Sequence, residues 1–394
     1  MASAIRACRA YYAHKANTPQ SPKMQTKIAY YRNLFIGDSI IALDSLYAIK
    51  ALYPNAFLVV YTGDIGVRIF SKFDFIDEIV NIQNLSKEQI IKALDSKEFD
   101  YLILTQPNRR HTSIASASNA KVIISYAMWH NIFRRFLGNI FSTKIFSKIF
   151  CKILGEKIFS KVFYKRGFRQ FKRVFYSVAF GSAPNYKRLL SLVREIDAPH
   201  YDSSKIDFTP ARFPPSPTHI EFVKQNLKIP PQSYKILINP YSNSSPISLT
   251  PQGYATLATT LAKALPQAQI IVSSFEGAPK LPLKSDSLNS EGEAKNIHIF
   301  KNNHDLGNLI ELVRSVDLLI SPSTGTIHIA DNLGIKIIGL YSKRDMRLWL
   351  GKNMDKSSII VLKTHYSKLK QSEESKIIET ITQKTIEIIN GLKE

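Results

Sequence analysis

Cysteine is nearly absent: there are two, Cys8 and Cys151, in 394 residues, with no CxxC pair and no Cys/His cluster. That argues against a disulfide framework and against a zinc site, and it fits a reducing compartment. No metal is expected. The chain also lacks a run of 18 or more apolar residues, so no membrane-spanning helix is expected. Residues 1–23 carry Arg6, Arg9, Lys15 and Lys23 but no acid and no apolar stretch long enough for a signal peptide, and they read as a flexible basic extension. Acidic residues are scarce beside basic ones, 31 against 53, leaving a net charge of +22.

Half of that excess is local. Residues 129–175 hold twelve Lys/Arg and one acid, Glu156, a balance of 12 − 1 = +11. Within 141–165, Lys144, Lys148 and Lys152 recur every fourth residue with Ile and Phe just after them, and Lys157, Lys161 and Lys165 repeat the pattern beyond Gly155. At 100° per residue, lysines fall on one face and Ile/Phe/Val on the other. A pair of short amphipathic cationic helices of this kind lies in an anionic membrane surface, each basic residue contributing on the order of 1 kcal/mol. A helical pair docked on the protein with a solvated lysine face gives the same pattern. Nucleic acid is not expected as a partner, because no RNP-like motif, helix-turn-helix or zinc module is present.

The rest alternates between strand and helix patterns, which predicts α/β architecture with parallel sheets and crossover helices. Lys27–Tyr31, Ala56–Tyr61, Asp77–Ile82, Tyr101–Thr105 and Lys121–Tyr126 read as strands, with helices over Ser39–Leu52 and Lys87–Leu94. A Pro-rich stretch, 208–217, reads as a linker. Beyond it the alternation restarts and ends in a helix over Glu374–Asn390. The expected organisation is an N-terminal domain over 24–207 with the basic helical insertion at 129–175, the linker, a C-terminal domain over 218–373 and a terminal helix over 374–394.

The densest signal runs from Asp317 to Tyr341. Val316–Ile320 suits a buried strand, the next six residues (Ser, Pro, Ser, Thr, Gly, Thr) supply hydroxyls and a glycine where a helix begins, and Gly334 stops that helix before another strand. A helix start offers free N–H groups and the positive end of the helix dipole, so this turn suits a phosphate. Ser and Thr are also ordinary helix caps.

Three segments together resemble glycosyltransferase family 9, the bacterial heptosyltransferases of lipopolysaccharide core synthesis. They are Arg32–Asp38 with the helix and Pro54 that follow, Asn239-Pro-Tyr-Ser-Asn-Ser-Ser, and the turn and helix from Ser323 to Gly334. The resemblance covers most of Lys27–Leu350. It implies a GT-B fold, two Rossmann-like domains facing each other across a cleft. It implies that Asp38 is the general base on the acceptor side, beside Gly37, although Asp38 equally suits a cap for the helix predicted from Ser39. It implies donor contacts from Ser323, Thr324, Gly325, Thr326 and His328 on one side of the phosphates and from Ser242, Asn243 and Ser244 on the other, with no cofactor beyond the nucleotide-sugar. Glu276 is placed to meet a donor ribose or base. Arg109, Arg110 and His111 follow a strand on a cleft-facing loop and suit a phosphate on an anionic acceptor; a solvated helix start reads the same way.

The family often has an acid where Ser323 stands, a Lys at Ile247 and a Trp at Leu249. ADP-heptose is therefore the default donor, with another nucleotide-sugar open. The expected activity is inverting transfer of a sugar to a lipid A–core acceptor by a cytoplasmic protein peripheral on the inner membrane. The alternatives are an inactive membrane-associated assembly protein of the same fold and, third, a basic nucleic-acid-binding protein.

Overall fold

A computed structural model describes residues 25–126, 174–177, 183–197, 200–230, 232–242, 247–283 and 295–391. The basic extension, the amphipathic segment 141–165, Asn243 and Ser244 lie outside these.

The N-terminal domain runs β1 (Lys27–Tyr31), α1 (Ile36–Ile41), α2 (Leu43–Leu52), β2 (Phe57–Thr62), α3 (Asp64–Phe70), β3 (Glu78–Asn81), α4 (Lys87–Asp95), β4 (Tyr101–Leu104), α5 (Arg109–Ala117), β5 (Val122–Tyr126), β6 (Val174–Ser177) and α6 (Asn185–Arg194). The C-terminal domain runs α7 (Pro217–Leu227), β7 (Tyr234–Ile238), α8 (Pro251–Ala264), β8 (Ala268–Phe275), β9 (Ile297–Asn302), α9 (Leu306–Arg314), β10 (Leu318–Pro322), α10 (Gly325–Leu333), β11 (Lys336–Tyr341), α11 (Lys343–Trp349), β12 (Ile359–Val361) and α12 (Gln371–Gly391).

Each domain holds one six-stranded sheet, in the orders β3-β2-β1-β4-β5-β6 and β12-β11-β10-β7-β8-β9. Every strand pairing is parallel. Counted from its own first strand, each sheet has the order 3-2-1-4-5-6. This is the doubly wound arrangement, whose crevice opens where the strand order reverses, at the carboxyl ends of the first and fourth strands. Here those are β1 with β4, and β7 with β10.

Burial follows the two-residue strand period. Ile28 and Tyr30 of β1 join a buried apolar cluster with α1, α2, linker residues and the inward residues of the second sheet, such as Leu237 and Leu319, so one core runs through both domains. Ala29 and Tyr31 point to the other face, against α4 and α5. In the C-terminal domain Ile236 and Ile238 face α8 and α12. Parallel sheets covered on both faces read as near-continuous apolar strands, as these do.

The structure departs from the expected elements in two ways. The helix predicted over Ser39–Leu52 starts at Ile36 and breaks at Ala42, whose N–H turns back to Ser39 O. Helices α3, α7 and α11 and strands β6 and β12 were not expected, and β6 begins at Val174, within the stretch 129–175 expected to be helical; Pro217 stands at the first position of α7, where its missing N–H costs no hydrogen bond. The segment 208–217 is bonded to the C-terminal domain. Ala211 and Phe213 are buried, Asn332 Nδ2 donates to Ala211 O at 2.8 Å, and Arg314 Nη2 donates to Phe213 O at 2.7 Å. These bonds fasten it to α9 and α10.

Candidate active site

The first turn of α1 leaves the carboxyl end of β1. Its N-cap is Phe35, which makes no side-chain cap, and Asp38 is the third helical residue. Asp38 is therefore not a cap for a helix starting at Ser39. Its carboxylate lies 3.6 Å from Arg32 Nη2, with the Asp38 side chain 20% exposed and the Arg32 side chain 5%. Burial raises the Asp38 pKa above its ordinary value, and the Arg32 charge pulls it partly back.

On the facing domain α10 begins after β10, with Thr324 as N-cap. Thr324 makes no capping bond. Its hydroxyl stands instead 3.2 Å from Ser321 Oγ and 3.4 Å from Asn239 Nδ2. Asn239 Nδ2 also donates to Ser321 Oγ at 3.0 Å, and Asn239 Oδ1 accepts from Ser273 Oγ at 3.1 Å. One buried amide thus ties together the carboxyl ends of β7, β8 and β10. Because the Thr324 hydroxyl is held by this network, no side chain closes the first turn of α10. That turn keeps the free N–H groups that suit a phosphate. Ser323 is nearly buried, with its side chain near the Tyr341 phenol.

The two turns meet. A Cβ built on Gly37 would lie 2.5 Å from His328 Cδ2 and 3.5 Å from Gly325 Cα, and one built on Gly325 would lie 3.0 Å from Ile36 Cγ2. Glycine at both places lets α1 and α10 approach backbone to backbone. His328, one turn into α10, is buried with its Nδ1 unpartnered. Burial lowers its pKa to about 4, so the imidazole is neutral at pH 7. Its ring lies edge-on to Trp349, with centroids 6.2 Å apart.

The other candidates stand at or just beyond strand ends. Ser242 follows β7, on the loop that begins with Asn239. Glu276 is exposed just after β8. Arg109 and Arg110 are the exposed first residues of α5, capped by Asn108; the Arg110 charge acts on Tyr31 at the end of β1, and the His111 ring lies 5.0 Å from the Tyr31 ring. Sequence reasoning assigned no role to Arg32 or Asn239. Both stand immediately after a strand at a switch point, which was the available signal. Among the described residues no cluster of three or more His, Cys, Asp or Glu is grouped as metal ligands.

A cavity of about 290 Å³ also lies between the domains, bordered by Asp44, Tyr186, Arg212, His328, Asp331 and Lys352. Asp38 and residues 323–326 do not line it. Lys352 Nζ stands 3.3 Å from Asp44 Oδ2 there, an ion pair joining the domains.

No curated protein sequence matches the chain. Residues 259–381 match the sequence model of glycosyltransferase family 9 (heptosyltransferase). Among solved structures the chain is similar to the glycosyl transferase family 9 protein of Veillonella parvula DSM 2008, at 12% identity and a TM-score of 0.62, with 93% of this chain and 100% of that one covered. It is similar to the ADP-heptose LPS heptosyltransferase II of E. coli, at 11% identity and a TM-score of 0.59, covering 92% of this chain and 99% of that one. The E. coli heptosyltransferase WaaC, solved with ADP, aligns at 13% identity and a TM-score of 0.57 over 91% of this chain and 99% of its own. It has also been solved with ADP-2-deoxy-2-fluoro heptose. At these identities the structural likeness speaks for the fold, and the sequence match speaks for the family. Residues 259–381 therefore carry the sequence pattern of glycosyltransferase family 9, in a chain with the GT-B fold.

Proposed function

We propose that this protein is an inverting glycosyltransferase that moves heptose from ADP-heptose to a lipid A–core acceptor, peripheral on the cytoplasmic face of the inner membrane. The observation that carries the reading is the packing of Gly37 on Gly325 and His328. It supports a reading in which the desolvated Asp38 carboxylate and the uncapped start of α10 act on one bound donor and acceptor. In a single displacement, an acceptor hydroxyl oxygen attacks the anomeric carbon while the bond from that carbon to the diphosphate oxygen breaks. The hydroxyl proton passes to Asp38, and the leaving diphosphate gains negative charge against the N–H groups of α10. A neutral His328 beside the turn adds shape and polarity there without a second charge. Solved proteins of this fold that hold ADP and a heptose analogue support an adenine-nucleotide donor.

Ligand-dependent thermal unfolding tests the donor. ADP or ADP-heptose at about 100 times its Kd stabilises the folded state by roughly 2.7 kcal/mol, a rise of several degrees in Tm, whereas UDP and GDP give less. No shift with any nucleotide overturns the reading. An inactive assembly protein of the same fold shows the shift but consumes no donor.

The basic stretch supports membrane attachment, since twelve of its residues between 129 and 175 are Lys or Arg. Among the described residues no helix is long and apolar enough to cross a membrane. Deleting 141–165 is expected to lower affinity for vesicles containing anionic lipid by at least tenfold, with salt weakening the remainder. Wild-type affinity in the deletion variant contradicts a membrane role for the segment.

A further inference from the structure

We propose that Arg32 is the positioning residue for the Asp38 base: its guanidinium holds the Asp38 backbone by a hydrogen bond and sets a positive charge beside the carboxylate, and the acid limb of the reaction depends on it. The inference rests on the glycosyl-transfer reading above.

The geometry is specific to this side chain. Arg32 directly follows β1, and its own N–H donates to Tyr61 O at 2.9 Å, which holds its backbone to the end of β2. Its side chain turns back to α1, where Nε donates to Asp38 O at 2.8 Å. That carbonyl is available because the helix breaks: the Ala42 N–H that would continue the α-helical ladder to Asp38 O turns to Ser39 O at 3.1 Å. Arg32 thereby takes up an acceptor that the break between α1 and α2 leaves over. Nη2 lies 3.6 Å from Asp38 Oδ1, longer than a hydrogen bond. The contact supplies charge without tying up the carboxylate oxygen that must accept a proton. The guanidinium is almost wholly buried, so its field at Asp38 is screened little by water.

The charge acting on the Asp38 carboxyl is that of Arg32. The elements packed against α1 are α10, α3 and α2. Their titratable groups are His328 and Asp331 on α10, Asp64 and Arg68 on α3, and Asp44, Tyr47 and Lys50 on α2. His328, at Gly37, is neutral at pH 7. A planar five-donor fork can serve a carbonyl and a carboxylate together. A lysine ammonium retains the charge but lacks the fixed spacing.

The test compares wild type, Arg32→Lys and Arg32→Met as full-length protein. It measures ADP release from ADP-heptose with a lipid A–core acceptor across pH, and ADP affinity separately. For Arg32→Met the account expects at least a tenfold loss of kcat, an acid limb moved to higher pH, and ADP affinity within twofold of wild type. The sign follows from the charge: without the cation the carboxylate is harder to ionise, so the base is lost at a higher pH. Arg32→Lys is expected to return the acid limb most of the way to its wild-type position while kcat stays reduced. An acid limb that does not move in either variant overturns the inference, as does ADP affinity falling in step with kcat. If Arg32→Met does not fold, the Arg32→Lys profile decides alone: full wild-type kcat, or an unrestored acid limb, overturns it. A wild-type protein that releases no ADP sinks the transferase reading instead.

Discussion

Asp38→Asn is expected to lower kcat for sugar transfer by roughly 10² to 10⁴, the usual worth of a general base, with ADP affinity within about twofold of wild type. The substitution keeps the size of the side chain and removes its ability to take a proton. Asp38 is not the N-cap of α1, but it faces the buried Arg32 guanidinium, so Tm is measured alongside to separate lost catalysis from lost fold. Burial raises its pKa, with Arg32 opposing, so the wild-type profile should lose activity as pH falls through a value above 3.8, the ordinary figure for aspartate. The acid limb should vanish in the variant. Steady-state donor consumption across pH, with calorimetric titration of ADP, checks both statements. Unchanged turnover in Asp38→Asn removes Asp38 from the mechanism.

Gly37→Ala is expected to cost about 10²-fold in kcat/KM although it removes no functional group. The added methyl would sit 2.5 Å from His328 Cδ2, closer than side chains tolerate. His328 is itself buried and packed near Trp349, so the ring has little room to turn aside. Relief must come from separating α1 and α10 by roughly 1 Å, and a displacement of that size between base and donor is worth about two powers of ten. Overpacking should also cost about 1–3 kcal/mol of stability. Gly391→Ala is the control. Its added Cβ meets nothing within 4 Å, so activity and Tm should hold or rise slightly. Activity in Gly37→Ala equal to wild type contradicts the close approach of the two helices.

Much of the architecture was legible because local and global signals agree. The strands of both sheets are short apolar runs, and Gly334 does end α10, in a left-handed conformation at φ 75°. The elements that escaped notice have local reasons. Helix α3 is seven residues long with Gly66 inside it, and α7 opens with Pro217 at the end of a Pro-rich run, where proline reads as loop. The break at Ala42 is invisible in sequence because the apolar spacing continues across it. Fixing of the linker depends on Asn332 and Arg314, about a hundred residues away, which no local pattern reports. The same holds in the site. The Ser/Thr/Gly turn announced itself, but Arg32 and Asn239 gain their roles only when the parallel sheets bring distant strand ends together.

The most direct measurement is a crystal structure of the protein with ADP. The account predicts the diphosphate against the backbone N–H groups that open α10, at residues 325–327, facing Asp38 across the crevice. ADP seated instead in the cavity bordered by Arg212 and Lys352, away from residues 323–326, would contradict it.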